Sequence, residues 1–377
     1  MINFLNVTKR YGNSRLDVVT DISLYIPAGN VVVLIGPSGC GKTTMLKMIN
    51  RLVSITSGKI LINGVDNKAQ DPIKLRRSMG YVIQHTGLFP HMTVRENIEI
   101  ISRLEKRDSE EINSRTAELM NMVGLNACEY LDRYPTQLSG GQLQRIGVAR
   151  AFARDPEIIL MDEPFSSLDP ITRSQLQDEL LFLQTKMHKT IVFVTHDMDE
   201  AIKIADRICI LNEGRLIQYD TAEEIMRNPA NDYVSQFVGK QRIWDNPSYI
   251  KARDIMLEDI VVVPESISTV RALKVMMEKH VDSAMVIDES RKFLGYVLAR
   301  DIQNFYGRSD LVKELMKQPN TYASTDDSLL DLLHKIKENE ISLLPVLDDE
   351  GKLKGLITNS SLVTTMSKQY KEDTDND

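Results

Sequence analysis

Residues 31–43 read VVVLIGPSGCGKT. The apolar run Val31–Ile35 predicts a strand buried on both faces, feeding a glycine-rich turn and then a helix over Thr43–Leu52. The octet from Gly36 to Thr43 fits G-x-x-x-x-G-K-[ST]. Glycines let backbone amides turn inward around phosphate oxygens, and the helix that follows aims its positive N-terminal end at them. Lys42 supplies a charge for the β- and γ-phosphates and the Thr43 hydroxyl a ligand for Mg²⁺. The candidate phosphate cradle is therefore Gly36, Pro37, Ser38, Gly39, Cys40, Gly41, Lys42 and Thr43, with Thr44 next to it. A bare match to this pattern can be no more than a glycine-rich turn, but the strand before it and the helix after it supply the context that phosphate binding requires.

A second apolar run, Ile158–Glu163 (IILMDE), ends in two carboxylates. Asp162 is placed to hold the Mg²⁺ shell, and Glu163, one residue on, to polarise an attacking water as general base. Further strands are expected at Ile191–Thr195, and helices over roughly 95–134. Thr221–Glu224 has capping-box spacing before what reads as the last helix of this region. Short β-branched runs alternating with amphipathic stretches make residues 1–240 an α/β domain.

Composition narrows the function classes. A chain of 377 residues with 42% hydrophobic and 26% charged residues suggests two or three globular domains. No apolar run approaches the ~18 residues that span a bilayer, and no secretory signal opens the sequence, so a soluble intracellular protein is expected. Cys40, Cys128 and Cys209 read as reduced thiols; Cys40, inside the glycine-rich turn, is either a variable loop position or a redox sensor. Residues 1–240 carry 28 Lys+Arg against 29 Asp+Glu, and residues 241–377 carry 18 against 24. Neither part has the basic excess that would predict nucleic acid as a partner. The shift near 240, where GKQRIWDNP has turn formers at both ends, marks a linker over 241–250.

The rest of the chain repeats itself. Val281–Ile302 aligns without a gap with Ile341–Leu362, sixty residues later, matching Asp288 with Asp348, Lys292 with Lys352 and Gly295 with Gly355. Upstream, Val270, Leu273 and Met276 match Leu330, Leu333 and Ile336 as the apolar helix face of each copy. Two copies are too few for a solenoid, so a pair burying its faces mutually is expected over 251–307 and 308–368. The tail over 369–377, ending EDTDND, reads as short, acidic and unfolded.

Leu138–Gln142 reads LSGGQ, and with it residues 1–240 resemble the ATP-binding-cassette (ABC) ATPases. Further motifs follow in the family's order: Tyr11 as the adenine-stacking aromatic (or else a packed strand tyrosine), Gln84 in the Q-loop, Ser167–Asp169 as the D-loop and His196 as the switch histidine. Only 97 positions separate Lys42 from Ser139, with no sustained heptads, unlike the cassette ATPases that act on DNA. The resemblance implies an α/β P-loop NTPase with a mixed central sheet, an antiparallel β subdomain and a helical subdomain. It implies ATP and Mg²⁺ as ligands, with Thr43, Gln84 and Asp162 at the metal, and Glu163 and His196 as catalytic residues. It also implies a composite site in a dimer, where Ser139, Gly140, Gly141, Gln142 and Asp169 of a second ATPase subunit cap the ATP in trans.

The repeat resembles a tandem CBS pair, an α/β regulatory module that often binds adenine nucleotides through G-x-x-[ST]-x-x-D. Neither copy has the whole motif: Gly295 is followed by Leu298 and Asp301, Gly355 by Thr358 and Ser361. Asp301 and Thr358 are the remaining candidate regulatory residues. A nucleotide or cyclic-dinucleotide ligand, sensing of ionic strength and a purely dimerising role all stay open. An ABC ATPase joined to CBS domains resembles the motor of bacterial quaternary-amine importers for glycine betaine, carnitine or choline; stretches such as QHTGLFPHMTV and FVTHDMDEAIK agree. That resemblance implies transmembrane permease subunits, an extracytoplasmic substrate-binding protein and a place on the cytoplasmic face of the membrane. The alternatives are a motor for another substrate, such as bile components or amino acids, and a non-transport ABC ATPase.

Overall fold

A computed structural model describes residues 1–12, 16–84, 87–166, 168–239, 242–244, 246–304, 311–339 and 341–364. Ser167 and the acidic tail over 369–377 lie outside them. The chain divides into two compact units, residues 1–240 and 241–377.

Val31–Ile35 is buried along its whole length because strands flank it on both sides. It pairs in parallel with Thr190–Thr195 and with Arg207–Asn212. The sheet continues through Ile158–Asp162 to Met79–Val82, also parallel, and ends at the other edge in the antiparallel strand Arg215–Asp220. The resulting six-stranded sheet is mixed, as the resemblance implies. A second, four-stranded antiparallel sheet has the order Val19–Ile26, Ile2–Lys9, Ser57–Ile62, Val65–Asp66. Alternate residues Val32, Leu34, Leu160, Val192 and Val194 join Met45, Leu46 and Ile49 of the first helix and Phe4, Ile22 and Ile60 of the second sheet in one core. Parallel strands bring their C-terminal ends to one edge, where loops collect functional side chains.

The first helix is Lys42–Ile49, shorter at its C-terminus than the expected span. Helices Val94–Leu104, Ser109–Met122, Ala127–Tyr130 and Gly140–Phe152 form the helical region between the motifs. Thr221 accepts the Glu224 amide at 3.2 Å, but only half of the expected capping box forms. Asp220 Oδ1 takes the Thr221 amide at 2.9 Å, and the Glu224 carboxylate turns to Asn228. Helix Ala222–Arg227 is also not the last one, since Asp232–Val238 follows.

In the second unit the repeat is visible in the register. Val262–Pro264, Ser283–Ile287 and Phe293–Leu298 form one three-stranded sheet; Ala323–Ser324, Leu343–Leu347 and Leu353–Thr358 form another of the same topology. Val286 lies opposite Gly295, and Val346 opposite Gly355. The two copies exchange their leading segments. Ile250, Ala252 and Ile255 pack with Leu329, Leu332, Leu344 and Ile357 of the second copy. Val312, with Leu315 and Met316, packs on Val263, Ala272, Val286 and Ile302 of the first. Leu257 bonds Leu356 in both directions at 2.9 and 3.1 Å, and Lys317 bonds Tyr296 at 2.8 and 2.9 Å. The repeated glycines permit this approach: a Cβ on Gly295 would lie 2.5 Å from the Lys317 carbonyl oxygen, and one on Gly355 2.7 Å from Met256 Sδ.

The expected helix faces hold only in part: Met276 is buried and Leu273 and Ile336 pack against the cores of their copies, but the other positions need correction. Helix Thr269–Glu278 buries Thr269, Ala272 and Met276, whereas Val270 is 55% exposed. In the second copy Leu329 and Leu332 are buried, while Leu330 and Leu333 are 46% and 43% exposed. A spacing of three falls about 60° short of a turn at each step, so the sequence reading followed a ridge that winds off the buried face.

Candidate functional site

At the C-terminal edge of the six-stranded sheet the phosphate loop comes first. Gly41 caps the first helix with φ 102°, in the left-handed region, and a Cβ there would lie 2.7 Å from the Val18 carbonyl oxygen. Lys42 is buried, and its Nζ donates to the Gly36 and Pro37 carbonyls at 2.7 and 2.9 Å, closing the loop on itself. Cys40 is buried too, and burial pushes its thiol up, which keeps it protonated and works against a redox-sensing role.

Thr43 Oγ1 donates to Asp162 Oδ1 at 2.8 Å, so two of the expected metal residues meet where the first helix starts beside the end of strand Ile158–Asp162. A hydroxyl and a carboxylate are the hard oxygen donors Mg²⁺ takes, and the pair fits that ion. Burial pushes the Asp162 carboxyl up against the opposing Thr43 bond. Gln84, expected as a third metal ligand, turns elsewhere: its Nε2 donates to Glu163 Oε2 at 3.1 Å.

Glu163 leaves the strand in a left-handed turn, φ 44°, held by its amide bond to the Val194 carbonyl at 3.0 Å. A non-glycine residue there stores backbone strain on the order of 1–3 kcal/mol. His196 Nδ1 stands 3.4 Å from Glu163 Oε2, so that one carboxylate oxygen faces both Gln84 and His196. Ser166, unremarked in the sequence, donates its hydroxyl to the Glu163 carbonyl at 3.1 Å and fixes the turn.

Tyr11 lies past the strand Ile2–Lys9, not inside it, with its ring part exposed. Lys9 Nζ sits 4.6 Å from the ring centroid, and the phenol oxygen lies 3.4 Å from Thr44 Oγ1. The aromatic is thereby tied to the phosphate loop.

The signature residues gather separately. Ser139 caps helix Gly140–Phe152 in a reciprocal box: its hydroxyl accepts the Gln142 amide at 3.4 Å and its amide donates to Gln142 Oε1 at 2.9 Å. Gln142 Nε2 then donates to the Tyr130 hydroxyl at 3.2 Å, so this amide shapes its own helix end. Asp169 caps helix Pro170–Met187, accepting the Thr172 amide at 3.1 Å, and bonding to Thr172 holds its carboxyl below the usual range. Ser139, Gly140, Gly141, Gln142 and Asp169 line one cavity of about 390 Å³, to which residues 36–44 contribute nothing.

In the second unit Asp301 is ion-paired with Lys317 Nζ at 2.7 Å, from the exchanged segment. Thr358 and Ser361 cap one another, each amide donating to the other's hydroxyl at 3.0 Å. Both candidate regulatory groups are engaged within the fold.

Residues 19–166 match the ABC transporter family, and residues 252–307 and 312–368 match the CBS domain. The carnitine transport ATP-binding protein of Listeria monocytogenes is 47% identical over 96% of this chain and 91% of its own. The choline transport ATP-binding protein of Bacillus subtilis is 44% identical, over 96% and 95%. The osmoprotectant import ATP-binding protein of Salmonella typhimurium is 39% identical, over 97% and 96%. Among solved structures, a bacterial ABC transporter cassette in dimeric form matches with a TM-score of 0.54 and 36% identity, covering 59% of this chain and 98% of that one.

Proposed function

We propose, from the premise that this chain belongs to the ATP-binding subunits of ABC transporters that carry a CBS pair, that it drives import of quaternary-amine osmoprotectants: glycine betaine, carnitine and choline. Relatives that match along almost the whole chain are carnitine, choline and osmoprotectant transport proteins. The chemistry rests on one observation above all, Glu163 held between Gln84 and His196 beside the Thr43–Asp162 pair. Transmembrane permease subunits and an extracytoplasmic binding protein complete the importer. No described helix is long and apolar enough to cross a membrane; in the importer proposed here the motor docks on the permease subunits from the cytoplasmic face.

The residues divide the work by position. Tyr11 stacks on the adenine; Lys42 exchanges its loop carbonyls for the β- and γ-phosphate oxygens. Thr43 and Asp162 would hold Mg²⁺, which neutralises charge on the phosphates. The Glu163 carboxylate accepts a proton from the attacking water, and His196 orients that water and the γ-phosphate. Ser139, Gly140 and Gly141 of a second copy offer a hydroxyl and a helix N-terminus to the γ-phosphate, which accounts for a signature cavity that excludes its own phosphate loop.

The test is uptake of labelled glycine betaine, carnitine and choline at high osmolarity in cells lacking other importers. Glu163→Gln keeps the shape and removes the base, so the variant is expected to bind ATP as a dimer, hydrolyse at least 100-fold more slowly and abolish uptake. Hydrolysis at the parental rate by Glu163→Gln overturns the base. Absence of uptake with the parent protein overturns the substrate class, with bile components and amino acids the next compounds to assay.

A further inference from the structure

A second layer of charge lies behind Glu163 and His196, and nucleotide binding leaves it unused. Arg173 stands on the first turn of helix Pro170–Met187, four residues after the cap Asp169. Its guanidinium reaches two separate segments. Nη2 donates to the Leu168 carbonyl at 3.1 Å, next to Asp169. Nη1 donates to Asp197 Oδ2 at 3.4 Å, and Nε lies 3.8 Å from Glu200 Oε1.

Those carboxylates bracket His196. Asp197 follows it and caps helix Met198–Ile204, its Oδ1 accepting the Asp199 amide at 2.9 Å. Glu200, 5% exposed, accepts the hydroxyl of Thr195, the residue before His196, at 2.6 Å. The Asp197 amide in turn donates to Thr195 Oγ1 at 3.0 Å. Farther along, Lys203 Nζ reaches Ser174 Oγ at 3.0 Å and Asp178 at 2.8 Å, stitching the two helices together. Glu163, His196, Arg173 and Glu200 share a small polar cavity of about 30 Å³, so this network and the hydrolytic pair meet directly.

We propose that Arg173 is a positioning residue of the hydrolytic site, whose guanidinium clasps the Leu168–Asp169 segment to the turn that carries His196. The clasp rests on the proposed roles of His196 and Glu163 and adds to them a mechanical link. Leu168 and Asp169 line the signature cavity, the face offered to a second copy, while His196 faces Glu163 of its own chain. One planar cation whose Nη1 and Nη2 donate in fixed, divergent directions holds both segments in one geometry, which a lysine ammonium cannot do. Engagement of the Asp169 segment by the second copy is thereby transmitted to the His196 ring. Because Arg173 belongs to neither the phosphate loop nor the signature, its loss acts on turnover and not on ATP affinity.

The experiment is ATP hydrolysis by the full chain as a function of ATP concentration, for Arg173→Met, Asp197→Asn and the double variant, with Glu163→Gln alongside. Asparagine still caps a helix, so Asp197→Asn removes the charge and leaves the cap. Each single variant is expected to lower kcat roughly 10- to 100-fold, with KM within about twofold and the Hill coefficient falling toward one. The double variant is expected to be no slower than the worse single, because the pair acts as a unit. Arg173→Lys, keeping one charge, should fall between parent and Arg173→Met. Parental kcat and Hill coefficient in Arg173→Met, or additive losses in the double, overturn the clasp, as does a loss that merely follows the folded fraction in thermal melts. If Arg173→Met does not fold, Asp197→Asn alone decides between these outcomes by the same readings. Parental hydrolysis by Glu163→Gln removes the site that the clasp serves and the clasp with it; an inactive Glu163→Gln beside a parental Arg173→Met removes the clasp only.

Discussion

Asp162 shows function and folding opposed in one side chain. It is 7% exposed, and burial raises its pKa while the Thr43 hydrogen bond and the charges of Lys47 and Lys42 only partly compensate. For an acid whose folded pKa lies above its unfolded value, the folded state holds the proton longer. Its contribution to stability is then present in acid and lost as pH rises through the folded pKa. Asp162→Asn abolishes that loss, and an amide oxygen still accepts the Thr43 hydroxyl. The variant is expected to be more stable than the parent at pH 7 by roughly 0.5–2 kcal/mol. The margin should shrink toward zero as pH falls below the ordinary carboxylate range, and ATP hydrolysis should be lost throughout. Thermal melts without nucleotide from pH 4 to pH 8 check the trend; a margin that grows toward acid would refute the buried-charge account.

Helix ends and strand ends explain what was legible in the sequence and what was not. The phosphate loop, the strand ending in Asp162 and Glu163 and the signature helix could be read because each is encoded over a few consecutive residues. Arg173, Asp197 and Glu200 could not, since on their own elements they look like ordinary helix-surface charges and gain meaning only when two helices meet. Gln142 could not be separated from its neighbours either, although its spacing from Ser139 is that of a capping box. The same local view turned Val270 and Leu330 inward, where the sheet takes Ala272 and Leu332 instead. Gly140 offers a test at this scale. Among the described residues, no atom beyond its chain neighbours and its own helix backbone lies within 4 Å of where its Cβ would stand, so no described contact calls for glycine there. Alanine at the first turn of a helix gains helix propensity, up to about 1 kcal/mol in a helix interior. Gly140→Ala is therefore expected to leave melting unchanged or raised, yet to slow hydrolysis about tenfold or more by crowding the nucleotide of the second copy. Unchanged hydrolysis would argue against the signature helix contacting ATP in trans.

At the scale of the whole molecule, the exchanged segments make the two CBS copies one folding unit. Residues 308–368 look separable in sequence because the repeat restarts there, but Val312, wholly buried, with Leu315 and Met316, completes the core of the copy before it. Full burial of such a side chain is worth roughly 1.5–3 kcal/mol, so Val312 contributes in that range and the partly buried Leu315 and Met316 less. Removing all three takes away a sizeable part of the roughly 5–15 kcal/mol that holds a typical domain folded. It also removes the isolated bridge that Lys317 makes to Tyr296, leaving that sheet edge unpaired. A chain ending at residue 307 is thus expected to unfold over 251–307 as well, whereas one ending at 240 keeps the cassette, whose described two-sheet core cluster is made of residues of its own unit. Calorimetry on the full chain should show a CBS transition that is absent from both truncations, while the cassette transition persists in all three. Limited proteolysis should cut the 1–307 chain between 251 and 307 and spare the same stretch in the full protein. A CBS transition surviving in the 1–307 chain would mean that the first copy folds alone and that the exchange contributes little to its stability.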